Sequence, residues 1–212
     1  MNLYDGMYEF VPQWLTIPEF QKISPVCMYH KANQEREEQE AGQLQNLHVL
    51  GRSRITGVEK TQAGSWNIYI SADDYYKLYV NGIFVGQGPA PGYPEHYYYN
   101  KIDISSCLKD GDNILVVHLY YQGLVNRVWN SGDKRFAFAC EIVDNEGIFR
   151  QTVWKYQVSQ AYSGETTGYD TQFLENFTES FLFLYNKILL TIQSTATIGS
   201  AYNINKEIST VP

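Results

Sequence analysis

The stretch WNIYISADDYYKLYVNGIFVGQG, residues 66–88, decides the fold of this chain. Apolar and polar side chains alternate with a period of two through residues 66–71 and again through residues 76–80, which is typical of half-buried β-strands. Asn81-Gly82 then stands between two apolar runs, where it favours a type I′ turn because both central residues of that turn have a positive φ. The stretch therefore predicts an antiparallel hairpin.

Further strand patterns lie on both sides of this hairpin. They cover residues 47–58, 97–104, 113–120, 135–143 and 148–158, and the last two form a second predicted hairpin around residues 144–147. A spacing of about 8–12 residues between strands is typical of a sandwich or jelly roll. No helical period of useful length supports a parallel α/β sheet. We therefore predict an all-β fold, an antiparallel β-sandwich or jelly roll with an irregular C-terminal tail.

Composition divides the chain into three parts. Residues 1–43 are a lead-in and linker, in which the charged run EREEQE at residues 35–40 is expected to be solvated. Residues 44–160 are the β-sandwich module. Residues 161–212 are a linker and an atypical C-terminal tail, because the sequence from Thr178 onward is poor in charge and has no clean apolar period.

Charge and cysteine usage argue against several classes of protein. The formal net charge is -7 and no stripe of Lys and Arg is present, which argues against a nucleic-acid partner. Cys27, Cys107 and Cys140 are too widely separated for a disulfide framework or a metal knuckle. No secretory signal is visible in the first residues, and the longest apolar run, residues 181–192, is expected to be too short to span a bilayer. We expect a cytoplasmic, bacterial protein with no membrane partner.

The sequence carries no recognisable catalytic motif. It has no HExxH, nucleophile elbow or phosphate loop. Glycosidases need two carboxylates that face each other across the scissile bond, whereas adjacent Asp73 and Asp74 are expected to diverge and to serve in a turn. His48 and His118 lie within strand patterns, where structural roles are expected. We predict no catalytic residue and no metal site, and we do not expect the chain alone to be an enzyme.

Two loops, residues 89–98 and 122–133, concentrate aromatic, amide and acidic side chains without apolar periodicity. Sugars bind where an aromatic ring, which contacts their C–H groups, lies beside polar groups that bind their hydroxyls. The candidate carbohydrate-binding residues are Tyr93, Glu95, His96, Asn126, Arg127, Trp129 and Asn130. In the alternative interpretation, Trp129 plugs the end of the sandwich and binds no ligand.

The segment WNIYISADDYYKLYVNGIFVGQGPAPGY, with YYNKIDISSCLKDGDNILVVHLYYQG after it, resembles the N-terminal β-sandwich of bacterial α-L-rhamnosidases. The matching residues are Tyr76, Leu78, Asn81, Gly82, Val85, Gly86, Pro91, Gly92, Tyr99, Asp103, Leu108, Gly111, Asn113 and Gly123. The later GYDTQFLENF, residues 168–177, is similar to the segment that leads toward the next domain of the family. The resemblance implies a galactose-binding-like sandwich.

The resemblance also has functional implications. The family hydrolyses terminal α-L-rhamnose with an inverting pair of glutamates in a helical (α/α)6 barrel, and no segment here matches the acidic signature of that barrel. In some relatives the sandwich binds rhamnose with calcium, through an acidic and amide pair just after the Pro-Gly loop. That place here reads Tyr93-Pro94-Glu95-His96, so Glu95 is the implied calcium ligand, while the neighbouring Asp or Asn is absent. The resemblance implies no other cofactor.

We therefore expect a non-catalytic accessory domain of an α-L-rhamnosidase-like glycoside hydrolase. Its expected partner is a rhamnose-containing oligosaccharide or the catalytic domain of a glycosidase. One alternative is a purely structural sandwich that packs on the catalytic domain and binds nothing. Another is a truncated product of a longer rhamnosidase gene, in which residues 178–212 are read out of frame and so ignore binary patterning. A complete but minimal hydrolase is a third alternative.

Overall fold

The computed structural model of the chain is built mainly of β-strands. It describes residues 10, 13–21, 46–59, 65–92, 96–123, 136–144, 146–147, 149–150, 153–159, 162, 166–169, 173–177, 199–200 and 207–210. Helical structure in these ranges is limited to α1 (Pro18–Gln21) and one 3-10 turn (Ser105–Cys107). Neither is long enough or apolar enough to cross a membrane.

The strands follow one another along the chain with short connections in the central part. They are β1 (Trp14–Thr16), β2 (Leu47–Val58), β3 (Asn67–Asp73), β4 (Tyr75–Val80), β5 (Ile83–Gly88), β6 (His96–Asp103), β7 (Gly111–Tyr121), β8 (Ala137–Val143), β9 (Phe149–Arg150), β10 (Lys155–Val158), β11 (Thr166–Tyr169), β12 (Phe173–Phe177), β13 (Gly199–Ser200) and β14 (Glu207–Thr210). The 3-10 turn lies between β6 and β7.

These strands form two main sheets. Sheet A has the order β13-β1-β8-β3-β6-β14, with β9 also paired to β8, and sheet B has the order β10-β2-β7-β4-β5. The neighbours are antiparallel except β14, which runs parallel to β6. Strands β11 and β12 form a separate antiparallel pair. The predicted all-β sandwich is confirmed.

The hairpin that decides the fold joins β4 and β5 in sheet B. Val80 pairs with Ile83 across a two-residue turn, in which Asn81 has a φ of 51° and Gly82 a φ of 83°. The Asn81 side chain adds long-range contacts, because its Nδ2 donates to the Cys107 carbonyl at 2.9 Å and its Oδ1 accepts from the Ile114 amide at 3.0 Å. The predicted positive φ at both turn residues is confirmed.

The core lies between the two sheets. Alternate residues of β3, β4, β7 and β8 point into it, so each of these strands buries one face against the other sheet. Its fully buried members include Ile68, Ile70, Tyr76, Leu78, Val80, Leu115, Val117, Leu119, Phe138 and Ile142. Trp154 closes the packing and meets the Phe138 ring edge-on, with the ring centroids 5.2 Å apart.

A second apolar cluster covers the opposite face of sheet A. It contains Phe10, Trp14, Tyr69, Tyr97, Ala137, Ala139 and Val143. Phe10 and Trp14 come from the part of the chain predicted to be a lead-in, and β1 from the same part pairs with β8. The described residues of the lead-in therefore pack on sheet A and extend it, while the domain boundaries stay a prediction.

Two other segments differ from the sequence-based expectation. The predicted last hairpin is present as β8 and β9, but the chain then crosses to sheet B, where β10 pairs with β2. In the tail, β13 pairs with β1 and β14 with β6, so short strands extend sheet A at both of its edges. In both cases the pairing partner is distant in sequence, and a local pattern cannot identify it.

Candidate functional site

The candidate carbohydrate-binding residues fall almost wholly outside the described part of the chain. This holds for Tyr93, Glu95, Asn126, Arg127, Trp129 and Asn130. His96 is the first residue of β6, where its backbone pairs with Glu207. The assignment of these side chains to a sugar site therefore stays a prediction, and the described residues on either side of the two loops define where that site would lie.

The two predicted loops, residues 89–98 and 122–133, contain the undescribed residues 93–95 and most of 124–135, and the described residues that flank them lie at the same end of the sandwich. Residues 93–95 lead into β6, and residues 124–135 connect β7 to β8. The end of β3 lies beside the starts of β6 and β8, since Asp73 pairs with Ala137 and contacts Tyr97. The end of β7 lies beside the start of β4, where Tyr75 pairs with Tyr120. We call this the loop end; the Asn81-Gly82 turn lies at the opposite end of sheet B.

Asp73 and Asp74 occupy the centre of the loop end. They form the link between β3 of sheet A and β4 of sheet B, and their exposed fractions are only 1% and 2%. Asp73 Oδ2 accepts a hydrogen bond from the Tyr97 hydroxyl at 2.8 Å, and Asp74 Oδ2 accepts one from the Gln122 amide at 2.8 Å. The side chains diverge as expected, but they are buried and reach different sheets, which a simple surface turn does not require.

This arrangement does not present a catalytic pair of carboxylates. Glycoside hydrolysis needs two carboxyl groups on either side of an accessible sugar. Asp73 and Asp74 are shielded from solvent and bound to β6 and β7. Among the described residues no three His, Cys, Asp or Glu side chains converge as a metal centre, and Glu95, the implied calcium ligand, lies outside them.

The residue that follows the second loop is also held in place, by a hydrogen bond and by ring packing. The Thr16 hydroxyl of β1 donates a hydrogen bond to the carbonyl of Phe136, the residue that follows residues 124–135. Phe136 is buried and packs against Phe20 and Tyr121, with ring centroids 5.5 and 6.0 Å away. The lead-in thus supports the loop end directly.

A cluster of histidine and tyrosine rings lies near the same end, on the face of sheet B that points away from the core. Nδ1 of His48 and Nε2 of His118 are 2.8 Å apart. The His48 ring stacks on Tyr120 at 4.7 Å and on Tyr162 at 3.5 Å between centroids. The backbone carbonyl of Tyr120 accepts from the Asp74 amide at 3.1 Å, which connects the cluster to the loop end.

Both imidazoles of this cluster are neutral at neutral pH. Burial, together with the neighbouring His118 and Lys77, lowers the pKa of His48 to about 3, and burial with Lys77 lowers the pKa of His118 to about 4. Nε2 of His48 faces the acceptor Oδ1 of Asn46 at 3.3 Å, so this nitrogen carries the proton. His48 Nδ1 then accepts from the protonated Nε2 of His118. The structural role expected for the two histidines agrees with this geometry.

The roles of Asp73, Tyr97 and Gln122 at the loop roots were not predicted from the sequence. One signal does point to them: the two carboxylates directly follow an apolar strand and directly precede another, a position where a buried partner is required. The identity of those partners depends on the tertiary fold.

Comparisons with known proteins find solved structures that are similar to this chain. No protein-family model matches the sequence, and no curated protein matches it. The GH78 family rhamnosidase of Bacillus sp. GL1 is similar with a TM-score of 0.67 and 18% identity, over 96% of this chain and 20% of that one. The α-L-rhamnosidase from Dictyoglumus thermophilum gives a TM-score of 0.56 and 16% identity, over 94% of this chain and 22% of that one.

A third similar structure is the Streptomyces avermitilis α-L-rhamnosidase complexed with L-rhamnose, with a TM-score of 0.50 and 15% identity, over 77% of this chain and 17% of that one. The chain thus spans about a fifth of the length of the rhamnosidases that it matches. At these identities the likeness concerns the fold, and the resemblance read from the sequence is confirmed at that level. The chain has the fold of one β-sandwich portion of the α-L-rhamnosidases.

Proposed function

We propose that this chain is a non-catalytic, carbohydrate-associated β-sandwich that binds or positions rhamnose-containing glycans for an α-L-rhamnosidase-like glycoside hydrolase. The observation that carries the proposal is that the described residues flanking both candidate loops lie at the same end of the sandwich. Tyr97, at the start of β6, and Gln122, at the end of β7, are held by adjacent residues. The described residues that flank both loops therefore lie at one end of the sandwich, which supports a single sugar site there.

The fold likeness supports the choice of sugar. Three rhamnosidases share the fold with TM-scores from 0.50 to 0.67, and one of them is complexed with L-rhamnose. Asp73 and Asp74 are buried and hydrogen-bonded to Tyr97 and Gln122, so this pair does not face an accessible sugar as hydrolysis requires.

Calorimetric titration of the chain with L-rhamnose and methyl α-L-rhamnoside tests the proposal. We expect saturable binding that Trp129→Ala weakens by about 1–3 kcal/mol, because a ring in a sugar site stacks on the ligand. Phe84→Ala is the matched control, since Phe84 is 52% exposed next to the turn at the opposite end of sheet B. No binding by the unmodified chain, or equal loss in both variants, would contradict a sugar site at the loop end.

A purely structural role is the second candidate, and exposed apolar side chains favour it. Ile83 and Phe84 of β5 are 54% and 52% exposed, and Val153 is 67% exposed. Such side chains at the edge of a sheet are suited to packing against another domain. Under this candidate, the chain binds no rhamnoside, and Ile83→Ser with Phe84→Ser abolishes its association with a separately expressed rhamnosidase catalytic domain.

A further inference from the structure

We propose that the sandwich contains a strand-accepting site, which here holds the N-terminal segment of its own chain and which also accepts that segment from a second copy. The N-terminal segment is Phe10 together with residues 13–21. When two copies exchange these segments, each sandwich keeps every contact that it makes in the monomer. Sugar binding plays no part in this exchange.

Four buried side chains hold the N-terminal segment on the sandwich. Phe10 and Trp14 are 7% and 4% exposed and belong to the apolar cluster on the outer face of sheet A. Ile17 and Phe20 are 1% and 4% exposed and belong to the core between the two sheets. The segment is therefore anchored on both faces of sheet A, which makes the site selective for its pattern of large apolar side chains.

Backbone pairing adds a short strand to these anchors. In β1, Trp14 pairs with Ala139 of β8, and the other side of β1 pairs with the two-residue strand β13. The Thr16 hydroxyl donates a hydrogen bond to the carbonyl of Phe136. Strand pairing combined with side-chain anchors is the arrangement by which a sheet binds an extended peptide through β-strand addition.

The connection to the rest of the chain is longer than the segment needs. Phe20 packs on Tyr121, with ring centroids 4.9 Å apart, and the Asn46 amide donates to the carbonyl of the next residue, Gln122, at 3.0 Å. The chain thus leaves the segment and enters the sandwich beside consecutive residues of the same region. The 24 residues numbered 22–45 join these two places, and their extended length is about 80 Å.

This excess length means that the covalent connection does not restrict the site to the segment of the same chain. An identical segment from a second copy makes the same anchors and the same strand pairing. In dilute solution the tethered segment wins, because its effective concentration is of millimolar order. Exchange is therefore observed when the tethered segment is weakened or when copies fold together at high concentration.

Peptide binding tests the site with the full-length chain. The probe is a fluorescent peptide of residues 8–24, and the receiver is the full-length chain with Trp14→Ser and Phe20→Ser, in which the tethered segment is weakened. We expect saturable binding by fluorescence anisotropy, at least about tenfold tighter to the receiver than to the unmodified chain, because only the receiver's site is open. Bound peptide should also raise the melting temperature of the receiver.

The matched control is the same peptide with Trp14→Ser and Phe20→Ser, which should not bind. If the receiver does not fold, full-length Phe20→Ala replaces it, because this chain keeps the other three anchors; its preference for the native peptide should be smaller but in the same direction. Absence of saturable binding to the receiver chain, or equal binding of the two peptides, would overturn the strand-accepting site.

Refolding from urea at increasing chain concentration tests the exchange between copies. We expect size-exclusion chromatography with light scattering to show a dimer fraction that grows with concentration, since the second copy then competes with the tethered segment. An excess of the native peptide during refolding should suppress that dimer, because it fills the same site. Only monomer at every concentration, or a dimer that the peptide does not reduce, would overturn the exchange.

Discussion

Two histidine side chains show how burial determines the charge of this surface. The pKa values of His48 and His118 are lowered to about 3 and about 4, chiefly by burial, so the fold favours their neutral forms. In the unfolded chain each would titrate near its ordinary value of 6.5. The pair therefore contributes stability in full above about pH 6.5 and loses it progressively as the pH falls toward 4 and then 3.

We accordingly expect the free energy of unfolding in urea to fall between pH 7.5 and pH 4.5. The variant with His48→Gln and His118→Gln should show a smaller fall over the same range, because glutamine does not titrate. An identical pH dependence in both proteins would mean that the histidines are protonated as easily in the fold as in the unfolded chain.

Position 88 in β5 requires a glycine, because a side chain there would collide with an internal hydrogen bond. The Tyr76 hydroxyl donates to Asn100 Oδ1 at 2.7 Å across the core, and a Cβ at Gly88 would collide with that same oxygen. We expect Gly88→Ala to destabilise the protein by about 1–3 kcal/mol through overpacking. Gly86→Ala is the control, because its Cβ would meet only the end of the Ile102 side chain at 3.2 Å. Chemical denaturation of the two variants measures the difference, and equal stabilities would contradict the packing argument.

The hairpin of β4 and β5 is the element that its own sequence specifies most completely. Asn81→Val would place a β-branched residue at a φ of 51° and would remove the side-chain hydrogen bonds to Cys107 and Ile114. The backbone penalty alone is about 1–2 kcal/mol. We expect a clearly lower melting temperature, whereas Ile83→Val at the adjacent exposed strand position should change it little. Similar melting temperatures would contradict the turn assignment.

Whether a feature could be predicted depends on how far apart in the sequence its interacting residues lie. The β4–β5 hairpin and the period-two strands depend on neighbouring residues, so the sequence predicts them. The partners of Asp73 and Asp74 lie 24 and 48 residues away, and the Thr16 hydroxyl reaches a carbonyl 120 residues away. The alternation of apolar and polar residues identifies the buried face of a strand, but it does not show which other strand that face packs against. For this reason the candidate loops could be predicted from composition, and the residues that hold them could not.

The chain as a whole depends on its first residues. Phe10, Trp14, Ile17 and Phe20 are all buried, and each such side chain contributes about 1.5–3 kcal/mol when buried. A chain that begins at residue 44 should therefore melt at a much lower temperature or fail to fold. A chain that ends at Asn176 should lose less stability, because among the described residues it lacks only Phe177 at the end of β12 and the short edge strands β13 and β14. Circular dichroism melts compare the two, and a larger loss from the C-terminal truncation would contradict this order.

The same comparison bears on the origin of the tail. A match to the Bacillus sp. GL1 rhamnosidase over 96% of the chain must include part of residues 178–212, which make up more than the remaining 4%. Together with the pairing of β13 and β14 in sheet A, this favours a tail that belongs to the fold over an out-of-frame ending.

The way in which the loops are attached also affects how such a surface can evolve. Asp74 binds a backbone amide and Asp73 a buried hydroxyl, so neither contact involves a side chain from within residues 93–95 or 124–135. These two hydrogen bonds therefore do not depend on which side chains those residues carry, much as antibody frameworks tolerate new hypervariable loops. If the proposed sugar site is correct, a library of variants in residues 93–95 and 124–135 should keep the fold and change which glycan is bound.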